Sequence, residues 1–120
     1  MSHVVQIETQ VRDLAAVRAA CRRLGLPQPE RGTVTFFDGT ATGWAVRLPG
    51  WQYPVVLDPE SGRIHFDDYN GRWGDRRRLD AFLQAYAVEK TRREARRRGY
   101  RVTERALPDG SIQLRIEVGE

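Results

Sequence analysis

The chain has 120 residues, 40% of them hydrophobic and 30% charged, with a formal net charge of +4; this size and composition fit one globular domain, residues 1–120, and exclude a low-complexity chain. Its one cysteine, Cys21, excludes an intramolecular disulfide, and the opening Met-Ser-His-Val-Val-Gln lacks the basic and apolar regions of a secretory signal. No apolar run approaches the roughly twenty residues of a membrane helix, so a cytoplasmic protein without a membrane partner is expected.

Val5, Ile7, Thr9 and Val11 alternate with polar residues and predict a half-buried strand. Asp13 is placed to cap a helix in which Leu14, Val17, Cys21 and Leu24 form one stripe, stopped by Gly25 and Pro27. On that stripe Cys21 reads as a small buried hydrophobe, without a catalytic role. Four strands follow, near residues 33–37, 42–48, 53–57 and 63–66, separated by the turn formers Asp38-Gly39, Leu48-Pro49-Gly50 and Asp58-Pro59-Glu60-Ser61-Gly62. They predict an antiparallel meander.

Asp75 then caps a long helix ending at Gly99. Its stripe of Leu79, Phe82, Leu83, Tyr86 and Ala87 thins through Thr91 and Ala95, so the second half is expected to pack at its edge or to project. Tyr100, Val102 and Ala106, the turn at residues 107–110, and Ile112, Leu114, Ile116 and Val118 give a terminal hairpin with one apolar face. The expected fold is α+β, with order β-α-β-β-β-β-α-β-β and two helices on one face of a mostly antiparallel sheet, loosely ferredoxin-like.

The opening residues 1–14, the helix element Gln84-Ala85-Tyr86-Ala87, and Arg98-Gly99-Tyr100-Arg101-Val102 followed by Asp109-Gly110-Ser111-Ile112 resemble the hypothetical chloroplast reading frame thirty-five family, a domain of unknown function also widespread in bacteria. The resemblance spans nearly the whole chain and is strongest at its two ends. It implies one compact domain in a plastid or bacterial type of cytoplasm, and an accessory or interaction role rather than an enzyme. It brings no cofactor and no catalytic residue. The helix over residues 89–98 is richer in arginine here than the family pattern.

That helix end offers the first candidate surface. Arg92, Arg93, Arg96, Arg97 and Arg98 carry enough guanidinium to neutralise phosphate. The leading reading is nevertheless a solvated face, stabilised by Glu89 with Arg93 and Glu94 with Arg98 at i,i+4, and contact with an acidic protein surface is a third. The aromatics Trp44, Trp51, Tyr53, Tyr69 and Trp73 offer the second. Trp44 reads as core, and Trp51 and Trp73, beside glycines in loops, read as core or lid, with interface contact as the alternative, in which they and Tyr69 would serve a protein hot spot or base stacking.

His65, Asp67 and Asp68 lack the further ligands that a metal site needs. No nucleophile with its base, phosphate-cradling glycine loop or nucleotide fingerprint stands at meaningful spacing. The expected protein is therefore not an enzyme and uses no cofactor or metal. It is an accessory or adaptor domain that binds another protein through Trp51, Tyr69, Trp73 and the arginines, with a nucleic-acid-binding domain as the alternative and strand-to-strand homodimerisation as a further mode.

Overall fold

Helix boundaries follow from local capping chemistry. The Asp13 carboxylate accepts the Ala16 N–H at 3.1 Å and opens α1 (Leu14–Leu24); Gly25, at φ 69°, closes it with Leu26 N–H donating to the Cys21 carbonyl at 2.8 Å. Asp75 opens α2 (Arg76–Arg97) by accepting the Arg77 N–H at 2.9 Å. The computed structural model describes residues 5–7 and 10–118. Its strands are β1 (Val5–Ile7), β2 (Glu30–Thr35), β3 (Thr40–Val46), β4 (Val55–Asp58), β5 (Arg63–Phe66), β6 (Arg101–Ala106) and β7 (Ile112–Glu117). The element order is the one expected.

Five strands form one antiparallel sheet in the order β1-β5-β4-β3-β2. Val46, Val55, Leu57, Ile64 and Phe66 pack with Ala16, Val17, Ala20 and Cys21 of α1 and Leu79, Phe82, Ala85 and Tyr86 of α2. Both helices thus cover one face, and burying each large apolar side chain there contributes about 1.5–3 kcal/mol. Cys21 is fully buried, and burial pushes its thiol pKa up, which suits packing rather than thiolate chemistry. Val56 lies between two residues that face the helices, so it points the other way. There it joins Phe36, Ala41, Val34 and Tyr53 in a second, smaller apolar cluster.

Several sequence expectations need correction. β2 begins at Glu30 and ends at Thr35, because Phe36 N–H donates to the Gly39 carbonyl at 2.9 Å and closes a turn that removes Phe36 and Phe37 from the strand. β3 is also shifted toward the N-terminus, and β4 starts only after Pro54. β1 ends at Ile7; Val11 is buried outside it, donating its N–H to the Gly62 carbonyl at 3.1 Å, and Glu8 and Thr9 lie outside the described residues, as does His3.

The terminal hairpin also does not extend the main sheet. Among the described residues β6 and β7 pair only with each other. The reason is the exit from α2. Gly99, at φ 77°, lets Tyr100 N–H donate to the Ala95 carbonyl at 2.9 Å, and the chain doubles back along the helix. The thin second half of α2 is therefore covered rather than projecting: Ala95 is buried, and Gln84 Nε2 donates to the Gly110 carbonyl at 3.0 Å.

One carboxylate ties the hairpin to both helices. Glu104 of β6 accepts from Arg23 of α1 and, at 2.8 Å, from Arg92 of α2; Arg23 also stands 3.9 Å from Glu89. The hydrogen bond from Arg23 holds the Glu104 pKa below the ordinary glutamate range. A carboxylate whose folded pKa is depressed stabilises the fold fully above its unfolded value and ceases to do so as pH falls through the folded value. Hairpin docking is thus expected at full strength near neutral pH and to loosen below about pH 4. Amide exchange in β6 and β7 should accelerate over that range in the wild type, and E104Q should show the faster exchange already at neutral pH. Equal protection in the two chains at pH 7 would refute this role.

Candidate functional site

The face of the sheet opposite the helices carries an aromatic ridge. Its scaffold is an unusual turn after β5. Tyr69, Asn70 and Gly71 take φ values of 45°, 54° and 90°, three successive left-handed residues. Asparagine and glycine tolerate this region; a tyrosine there is strained by about 1–3 kcal/mol. Hydrogen bonds around the turn offset the strain. The Asp68 carbonyl accepts Gly71 N–H at 3.0 Å and Trp73 N–H at 2.9 Å, Asp67 Oδ1 accepts Tyr69 N–H at 3.2 Å, and the Trp73 carbonyl accepts Gln52 N–H at 2.8 Å.

The turn sets Tyr69 and Trp73 together, with ring centroids 4.6 Å apart. Trp73 also meets Tyr53 edge-on at 5.7 Å and Phe37 at 5.8 Å, and Tyr53 meets Phe36 at 5.7 Å. The ridge is therefore continuous from the second apolar cluster outward. Arg72 lies over the Tyr69 ring, its guanidinium 5.1 Å from the centroid. Phe37, at the outer end, is 68% exposed.

Of the aromatics picked from the sequence, Tyr69 and Trp73 are thus united and Trp51 is not. Trp51 packs at the rim of the helix-side core, edge-on to Phe66 at 5.7 Å, and its Nε1–H donates to the Asp75 carbonyl at 3.1 Å. A Cβ on Gly74 would overlap its indole. Trp51 anchors the start of α2. Trp44, read as core, packs at the rim of the same core and carries the Arg18 guanidinium 5.6 Å from its ring centroid. Phe36 and Phe37 are not picked out by sequence reasoning, since two adjacent phenylalanines read as strand residues; their adjacency, which forces one off the buried face, is the signal that points to them.

The arginine run divides in two. Arg92 is engaged by Glu104, and Arg93 Nε lies 3.7 Å from Asp13 Oδ2; among the described residues neither expected i,i+4 pair forms, and Lys90 and Glu94 pair instead at 4.0 Å. Arg96, Arg97 and Arg98 are exposed at the helix end. Cations at that end complement the helix dipole.

Asp67 and Asp68 are both buried; Asp68 Oδ2 stands 3.9 Å from Arg76, whose guanidinium lies 4.7 Å from the centroid of Phe66. With His65 they do not assemble a metal centre: among the described residues no three histidine, cysteine or carboxylate side chains are grouped to hold an ion. Also among the described residues, no helix is long and apolar enough to cross a membrane. Comparison with family models, with characterised proteins and with solved structures gives no match.

Proposed function

We propose that the chain is a non-catalytic accessory domain that docks onto another protein through the ridge of Phe37, Trp73, Tyr69 and Arg72. The observation that carries this reading is the strained turn: a bulky residue is held at φ 45° by surrounding hydrogen bonds, and its ring belongs to a ridge that ends in an exposed phenylalanine. Backbone strain maintained by its surroundings clusters at binding and switch sites. Rigid aromatic rings with an arginine are also the residue types that dominate protein hot spots, since they bury much area at little cost in conformational entropy.

The likeness of the chain's two ends to the hypothetical chloroplast reading frame thirty-five family supports the same accessory role, in a plastid or bacterial type of cytoplasm. Trp51 belongs to the support of this surface rather than to the surface itself.

Phe37→Ser separates binding from folding. Its ring is mostly in water, so stability is expected to change by no more than about 0.5 kcal/mol, whereas loss of a hot-spot aromatic should weaken the partner about tenfold or more. The partner retained by the wild-type chain at physiological salt is purified and titrated against both chains by calorimetry. Equal affinities would refute the ridge as the docking surface.

A further inference from the structure

The terminal hairpin has two unlike faces, and among the described residues only one is engaged by the rest of the fold. The register pairs Val102 with Ile116, Glu104 with Leu114 and Ala106 with Ile112 on the face that carries the Glu104 link to both helices. Thr103 opposite Arg115 and Arg105 opposite Gln113 point the other way, all four exposed. With Glu104 and Leu114 they line a concave surface of about 600 Å³. Among the described residues neither Arg105 nor Arg115 is held by an ion pair or a side-chain hydrogen bond. Of the acidic residues of the hairpin, Glu104 faces inward, the Asp109 carboxylate accepts from Ser111 N–H and Oγ within the turn, and Glu117 shares the outer face at its far end, opposite Arg101.

We infer that this outer face is a binding site for duplex DNA, with the β6–β7 ribbon lying in the major groove and Arg105, Arg115, Thr103 and Gln113 turned toward the base edges. Three observations converge on that occupant. The outer face is net cationic, with Arg101, Arg105 and Arg115 against the single carboxylate of Glu117, which complements a polyanion. Arginine, glutamine and threonine are side chains whose donors and acceptors match base edges, arginine to guanine and glutamine to adenine. A two-stranded ribbon standing free of the main sheet has the width that the B-form major groove admits, whereas the deep, narrow major groove of an A-form RNA duplex excludes it. The site is separate from the aromatic ridge, so DNA binding and protein docking can coexist. It also differs from the arginine-rich helix end, where Arg92 and Arg93 are already engaged.

The test is fluorescence anisotropy with a mixed-sequence duplex of about 24 base pairs, as DNA and as RNA, at about 50 mM salt, where phosphate contacts are strong. Four chains are compared: wild type, R105A/R115A, R96A/R97A and F37S. Their circular dichroism melts confirm that each is folded; the ribbon substitutions lie on an exposed face and leave the core intact. The expected result is DNA binding that weakens with salt, falls about tenfold or more in R105A/R115A, persists in F37S, and exceeds binding to the RNA duplex. Four outcomes would overturn the inference: no DNA binding by the wild type; an R105A/R115A chain that binds as the wild type does; a loss confined to R96A/R97A, which would move the contact to the helix end; or equal binding to both duplexes, which reports phosphate attraction without groove insertion. Should the ribbon variant instead lose a protein captured by the ridge while DNA is ignored, the site belongs to an acidic protein surface and the DNA reading fails.

Discussion

Phe66→Ala is expected to lower the free energy of unfolding by about 3–5 kcal/mol, the range for truncating a fully buried phenylalanine. The ring is completely buried, closes the helix-side core at the end of β5, meets Trp51 edge-on and carries the Arg76 guanidinium over its ring. Removing it costs the transfer of that apolar area and leaves a cavity bounded by a strand and the first turn of α2, neither of which collapses easily. The loss is expected to reach the proposed docking surface as well. Phe66 directly precedes Asp67, whose carboxylate holds Tyr69 N–H in the left-handed turn. Urea titration followed by tryptophan fluorescence measures the first effect, and partner affinity of the folded fraction measures the second. A destabilisation below about 1.5 kcal/mol would mean that Trp51 swings into the vacated space. The contrast with Phe37→Ser is the informative one: the same residue type, one within the support and one on the surface.

Features encoded by neighbouring residues are legible in the sequence. Asp13, Gly25, Asp75 and Gly99 mark both helices because capping depends on a few adjacent backbone groups, and the alternation in β6 and β7 reports an apolar face whatever covers it. What that face meets is not legible there. Alternation predicts burial but not the partner, and the partner is decided by the reversal at Gly99, which turns the hairpin onto α2 instead of the sheet. The ridge is half legible for a similar reason. Tyr69 and Trp73 lie in one turn, so their proximity is local, whereas Phe37 arrives from the β2–β3 turn through the sheet register. Arg92 reads as free because Glu104 is twelve residues away, beyond any helical spacing rule. Tyr86, which the periodicity shows only as part of an apolar stripe, has a polar role that its hydroxyl alone performs.

That hydroxyl sets up the second large effect: Tyr86→Phe is expected to destabilise the chain by about 2 kcal/mol although it removes one oxygen and no apolar area. The Tyr86 side chain rises from α2 through the core, and its oxygen accepts both the Arg12 N–H at 3.2 Å and the Asp13 N–H at 3.1 Å. These two amides immediately precede α1. Each would lose its acceptor in a partly buried position, and a donor left unsatisfied costs about 1–3 kcal/mol, far more than the net gain from making an ordinary hydrogen bond. The adjacent Asp13 carboxylate caps α1 and stands 3.7 Å from Arg93, so a displaced segment would also weaken the cap and this link between the helices. Denaturant titration should report a lower midpoint with an unchanged slope, because the substitution alters stability and not the surface exposed on unfolding. Amide exchange should locate the loss at Arg12, Asp13 and the first turn of α1, leaving β3 and β4 altered only by the global change. A destabilisation under about 0.5 kcal/mol would show that water replaces the hydroxyl at those amides. The segment ahead of α1 would then be held by the Asp13 cap, the Val11 hydrogen bond to Gly62 and the Arg12 guanidinium on the Glu60 and Ser61 carbonyls.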